Sequence, residues 1–154
     1  MATAIQRRLV QTRFESPVQE AVLSVLLAAR FLHEGFEQQL AEFDLTPTQF
    51  NVLRILKGVH PAGHPRCEIA RRLVERAPDL TRMIDHLERR GLVERARSEE
   101  DGRHSLARIT RRGLALLERT SPATTALQRH VSRRLTRADA EALSRLCEKL
   151  YAET

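Results

Sequence analysis

Arg76, Asp79, Thr81, Arg82 and Asp85 fall within one stretch of ten residues, and Asp101 and Arg103 follow it in a charged turn. These side chains suit polar recognition of a polyanion. Arginine presents a fork of donors that matches phosphate oxygens or the guanine edge, and a threonine can meet a phosphate oxygen or a thymine methyl. Arg82 is the best base or phosphate contact of the set, and Arg76 is a phosphate candidate. Asp79 and Asp85 repel phosphate, so each is expected to position a neighbouring arginine. Arg103, held by Asp101, has the chemistry to enter a narrow, AT-rich minor groove, whose negative potential attracts a guanidinium.

Other residues admit other chemistry. His60, His64 and Cys67 stand four and three apart, a spacing from which three ligands could meet one metal ion. Cys67 also lies near the start of a short predicted helix, where the dipole could lower its pKa and suit it to redox sensing. A buried or inert thiol is the simpler expectation. His33, in the first long helix, could line a ligand pocket. Cys67 and Cys147 form no disulfide framework. No Gly-rich phosphate loop is present, nor a serine or cysteine with a supporting His–acid pair, so the reading is a non-enzyme without a cofactor.

The elements that must position these residues follow from periodicity and caps. Ser16-Pro17 opens a long helix predicted to reach about Asp44, after an arm over residues 1–16 with no strong periodicity. Val18, Val22, Val25, Ala29, Leu32 and Phe36 form a heptad-like seam along it. The stretch 21–32 is apolar well beyond that seam, which predicts burial on several sides, most simply against a second copy of the chain. Thr46-Pro47-Thr48-Gln49 is a capping box for a helix with Phe50, Leu53, Ile55 and Leu56 inward. A short helix over Cys67–Glu75, with Ile69, Ala70 and Leu73 inward, leads to one over Pro78–Arg90 with Leu80, Ile84 and Leu87 inward. Gly91 ends that helix; Leu92-Val93 starts a strand, residues 98–103 form a turn, and a second strand returns through Leu106 and Ile109. Thr110 caps the next helix, with a kink or restart expected at Pro122. Thr136 and Asp139 open the last one, with Ala140, Leu143, Leu146 and Leu150 on its apolar face.

The chain has 154 residues, enough for one packed domain. Its charge is uneven. Residues 1–45 carry 4 basic and 6 acidic side chains, whereas residues 66–112 carry 13 arginines, no lysine and 9 acids. The arginines are thus concentrated on the segment that would read DNA. The N-terminus lacks the apolar stretch of a signal peptide and no apolar run is long enough for a membrane span, which gives the expectation of a reduced, cytoplasmic protein with no membrane partner.

Three stretches resemble the MarR family of bacterial transcriptional regulators: L-T-P-T-Q-F-N-V-L-R-I-L (45–56), E-I-A-R-R-L (68–73), and L-T-R-M-I-D-H-L-E-R-R-G-L-V-E-R through D-G-R-H-S-L-A-R-I-T-R-R-G (80–113). The resemblance covers about residues 17–150. The family's turn reads Asp-Arg-Arg; here Gly102 takes the middle place, which by the resemblance removes a candidate phosphate contact, while Asp101 and Arg103 match. The expected fold is mainly α with a small β-wing: a winged helix-turn-helix of six helices and a two-stranded antiparallel hairpin. Residues 46–113 would be the reading head, and 17–45 with 114–154 the helical dimerisation region. The resemblance implies a homodimer joined through its N- and C-terminal helices, bound to a pseudo-palindromic operator in double-stranded DNA. It also implies a repressor relieved by a small-molecule inducer. The peroxide-sensing members of the family carry their reactive cysteine in the first helix, where this chain has none. Two alternatives are a metal- or thiol-responsive sensor of the same fold and a protein-interaction module that no longer reads DNA.

Overall fold

Hydroxyl and amide caps set where most of the helices begin. The computed structural model describes residues 3–11, 13–97 and 105–152. Seven helices lie among these: α1 (Ala4–Leu9), α2 (Pro17–Ala41), α3 (Pro47–Lys57), α4 (Arg66–Arg72), α5 (Leu80–Arg89), α6 (Arg111–Ser132) and α7 (Arg137–Tyr151). Three strands, β1 (His64–Pro65), β2 (Val93–Arg97) and β3 (Ser105–Ile109), make an antiparallel sheet in the order β1-β3-β2. Thr46 and Gln49 cap α3 reciprocally, at 3.2 and 3.1 Å, and Thr136 and Asp139 do the same for α7. Ser16 accepts from the Gln19 amide at the start of α2, with Pro17 in the first turn.

The mainly α, winged architecture is the one expected, but two elements were not. In the segment read as an arm, a third capping box, Thr3 with Gln6, starts the six-residue α1; so short a helix leaves no apolar periodicity to read. The wing has a third strand because His64 and Pro65 pair with Ala107 and Leu106 of β3. Proline has no amide to donate, which fits an edge strand of two residues.

Several boundaries also moved. Asp79 is itself the cap of α5, accepting from the Arg82 amide at 3.4 Å, so that helix begins at Leu80 rather than at Pro78. α2 ends at Ala41, followed by a turn in which Asp44 takes a positive φ of 52°. α4 stops at Arg72, where Leu73 turns extended. α6 continues through Pro122 as a single helix, without the expected restart. Thr120 and Thr124 hydroxyls donate to carbonyls of Leu117, Thr120 and Ser121 around that proline.

The core lies under the wing and the end of α2. Leu40, Val52, Leu53, Leu56, Ile69 and Leu87 are fully buried there. Leu80 and Ile84 join them on the inward face of α5, as the 3.6-residue period requires. Phe50 and Ile55 are only half-buried, Ala70 is exposed, and Val52 takes a core place not foreseen. Gly113 is required at the junction of wing and α6. A Cβ there would sit 2.3 Å from the Leu92 carbonyl oxygen and 2.7 Å from Ile109 Cγ1. That carbonyl accepts from the Thr110 amide at 3.1 Å, and the Thr110 hydroxyl donates to the Gly91 carbonyl at 2.7 Å.

The rest of α2 and all of α7 behave differently. Leu40 is the one buried residue of α2, and α7 has none. Val18, Leu26, Leu146, Leu150 and Tyr151 are each 60% exposed or more.

Candidate nucleic-acid interface

The first turn of α5 presents the polar groups read from the sequence. Asp79 both caps the helix and pairs with Arg82, Oδ2 to Nη1 at 3.1 Å. The Arg82 side chain remains 87% exposed, so this pair holds the guanidinium near the helix start without covering it. Thr81 is exposed and its Oγ1 accepts a hydrogen bond from Arg66 Nη1. Arg76 is exposed in the turn between α4 and α5.

Asp85, one turn further along, pairs with Arg95 of β2, and Glu88 Oε2 lies 3.2 Å from Arg95 Nε. Two carboxylates of α5 therefore strap the wing to the helix through one arginine. The capping Asp79 and Asp85 of α5 each pair with an arginine, Asp85 across to the wing. Asp101 and Arg103 lie outside the described residues.

Between α4, α5 and the sheet runs a groove of about 740 Å³, walled by Arg66, Cys67, Thr81, Ile84, Arg95 and Ala107 among others. Cys67 is exposed on it, so of the buried or inert thiol expected, the buried form does not hold; α4 starts one residue earlier than expected and turns its first residues outward. Arg66 was missed by sequence reasoning, because its significance depends on a contact fifteen residues away.

The metal spacing has no counterpart in space. Among the described residues no group of three or more His, Cys, Asp or Glu could hold a metal ion, so His60, His64 and Cys67 are not gathered into a site. His64 belongs to β1, and its Nε2 is buried without a partner. Burial, assisted by the Arg72 charge, lowers its pKa and keeps the ring neutral.

A second cavity, of about 640 Å³, opens between α2, α3 and the turn after α4, and His33 lines it together with Leu32, Phe36, Phe50, Arg54 and Glu75. His33 Nδ1 donates to Glu75 Oε1 at 2.8 Å, and Nε2 lies 3.3 Å from Glu37 Oε1. The hydrogen bond to Glu75 raises the His33 pKa most; desolvation partly opposes it, and the charges of Glu75 and Glu37 add smaller upward effects. At the other end of α5, Arg90 donates to the Phe43 carbonyl at 3.2 Å and to that of Asp44, and lies 3.4 Å from the Asp44 carboxylate.

A capped helix with an exposed polar first turn, packed beside a three-stranded wing, defines a winged helix-turn-helix of the DNA-binding class. The model of the MarR family matches residues 45–105. The repressor IacR of Pseudomonas putida is 30% identical over 118 residues, covering 77% of this chain and 70% of the relative. A MarR transcription factor from Planctomyces limnophilus superposes with a TM-score of 0.68 at 36% identity, over 88% of this chain and 98% of the other. The repressor CouR, solved bound to a 23-mer DNA duplex, gives 0.75 at 28% identity over 90% and 99%. The chain belongs to the MarR family of transcriptional regulators. Its relatives are regulators rather than enzymes, in keeping with the lack of a catalytic constellation in the sequence.

Proposed function

We propose that this regulator is a cytoplasmic homodimeric repressor, which binds a pseudo-palindromic operator and leaves it when a small ligand enters the cavity beside α2. The observation that carries the DNA reading is the first turn of α5, where Asp79, Thr81 and Arg82 form an exposed, internally braced set of polar groups. Two such turns, one per protomer, would enter successive major grooves roughly 34 Å apart. Arg103, with Asp101, would reach the flanking minor grooves, and Arg76 a phosphate. The apolar stripes left exposed on α2 and α7 support the dimer, since rows of this kind on one chain mark an association surface.

The cavity has mostly apolar walls around one guanidinium, Arg54, which lies over the Phe50 ring at 5.9 Å. That combination favours an apolar or aromatic acid, whose ring packs on Leu32, Phe36 and Phe50 while its anion meets Arg54. The Glu75 turn that leads to α5 forms part of the same wall, so a ligand seated there would touch the support of the reading helix directly. The relative named a repressor supports the sign of regulation.

Selection from random DNA duplexes at two salt concentrations tests the proposal. A recovered palindrome is expected, with affinity falling steeply as salt rises. The Arg103→Ala dimer is expected to enrich it at least several-fold less well. Aromatic acids are then expected to release the selected duplex from the native protein, while Cys67→Ser and chelators leave that release unchanged. No enriched motif from the native dimer would refute the operator reading.

A further inference from the structure

We propose that Arg66, at the first position of α4, contacts the DNA backbone and positions Thr81 for its contact, so that the two elements of the helix-turn-helix read through a single linked pair. The inference rests on the operator reading above. Arg66 and Thr81 come from different helices, stand on the wall of the same groove, and are both exposed. Arg66 Nη1 donates to Thr81 Oγ1, which leaves the threonine's own proton free to be donated outward. Fixing that hydroxyl also fixes χ1 of Thr81, and with it the direction of the methyl group that could meet a thymine.

Of the arginines on the groove and in the first turn of α5, Arg66 alone has no carboxylate partner among the described residues. Arg82 is paired with Asp79, and Arg95 with Asp85 and Glu88, so each carries carboxylate charge beside it. The partner of Arg66 is a neutral hydroxyl. Among the described residues no carboxylate compensates its positive charge, and only one of its five N–H groups is used on Thr81. A phosphate beside the first turn of α5 would meet two donors already held together, one of them cationic.

Salt dependence separates this role from a merely structural one. A contact that neutralises a phosphate adds about 0.9 to the slope of log K against log salt, so a dimer that loses both copies should lose about 1.8. Arg66→Ala and Arg66→Lys would be titrated on the operator selected by the native protein, at salt concentrations from 50 to 300 mM (roughly the range over which counterion release is read). Arg66→Ala is expected to bind about tenfold or more weakly, with the slope reduced by about 1.8. Arg66→Lys is expected to keep most of the slope while relaxing preference at the base pair nearest Thr81, because one ammonium cannot hold both phosphate and hydroxyl. Thr81→Ala should relax the same base pair and leave the slope intact. An Arg66→Ala dimer of native thermal stability with an unchanged slope would overturn the inference, whatever its affinity, and would leave the operator reading standing. A native protein that selects no operator would overturn both.

Discussion

His33 faces two carboxylates at once, Glu75 from the turn before α5 and Glu37 from its own helix, and Arg54 shares the cavity that it lines. Its folded-state pKa is raised above the ordinary 6.5, chiefly by the hydrogen bond to Glu75. A raised pKa means that the folded protein holds the proton more tightly than the unfolded chain. The stabilisation is thus fully present below about pH 6.5 and disappears as the pH rises through the folded value. An NMR titration of the His33 ring is expected to give a midpoint above 6.5, moving down in Glu75→Gln. A midpoint that ignores Glu75→Gln would mean that the pair does not form in solution. His33 was readable as a cavity residue from its place in the first long helix, but Glu75, 42 residues away, was not. The same limit hid Arg66: local pattern reports which side chains share a helix face, not which two helices bring their ends together. Asp79 and Asp85 were expected beside a cation because a carboxylate would repel phosphate, and each does lie against an arginine.

Elements were most legible where one strong local rule acted alone. The capping boxes at Thr46–Gln49 and Thr136–Asp139 stand as read, and Leu80, Ile84 and Leu87 form the inward face of α5. Where rules competed, boundaries slipped. Pro78 suits the first position of a helix, yet Asp79 outranks it as a cap and moves the start to Leu80. β1 is two residues long and exists only because β3 passes beside it, so no period could announce it. Gly113 shows what the junction of wing and α6 demands. Gly113→Ala would drive a methyl into the Leu92 carbonyl, which cannot rotate away while it accepts from Thr110. A loss of about 2 kcal/mol or more is expected in denaturant unfolding. A variant within about 0.5 kcal/mol of the native chain would show that the junction yields more easily than its geometry suggests.

At the scale of the molecule, the described residues divide into a well-buried head and two helices that keep apolar side chains in water. The heptad-like seam of α2 and the Leu143–Leu146–Leu150 row of α7 were visible as patterns, and in one chain both remain largely uncovered. Covering them is worth roughly 25 cal/mol per Å² of apolar area, which favours association of two chains over isolation. Leu146→Glu places a charge in that row without touching the buried core. It is expected to shift the protein to monomers in sedimentation equilibrium, to leave helix content nearly unchanged, and to weaken operator binding by tenfold or more because the two heads are no longer joined. Native-like dimerisation of this variant would move the interface elsewhere.

Beside its buried Leu80–Ile84–Leu87 face, the Arg66–Thr81 bond and the Arg95 strap, the reading helix has one polar contact beyond each end, and these two are unequal. At one end Arg90, four-fifths covered, grips the last residues of the α2 turn through two carbonyls and a carboxylate; at the other, an open His33–Glu75 contact restrains the turn before Thr81. Were the helix to tilt as a rod about the Arg90 contact, displacement would grow with distance from it. Thr81 lies about 13 Å from Arg90 at 1.5 Å of rise per residue. A tilt of about 10° over that radius moves it about 2 Å, more than the working range of a hydrogen bond. Under the proposed function, the end that would read DNA has the greatest leverage, and a small ligand that disturbs the one histidine–carboxylate contact would act where a slight tilt is amplified most.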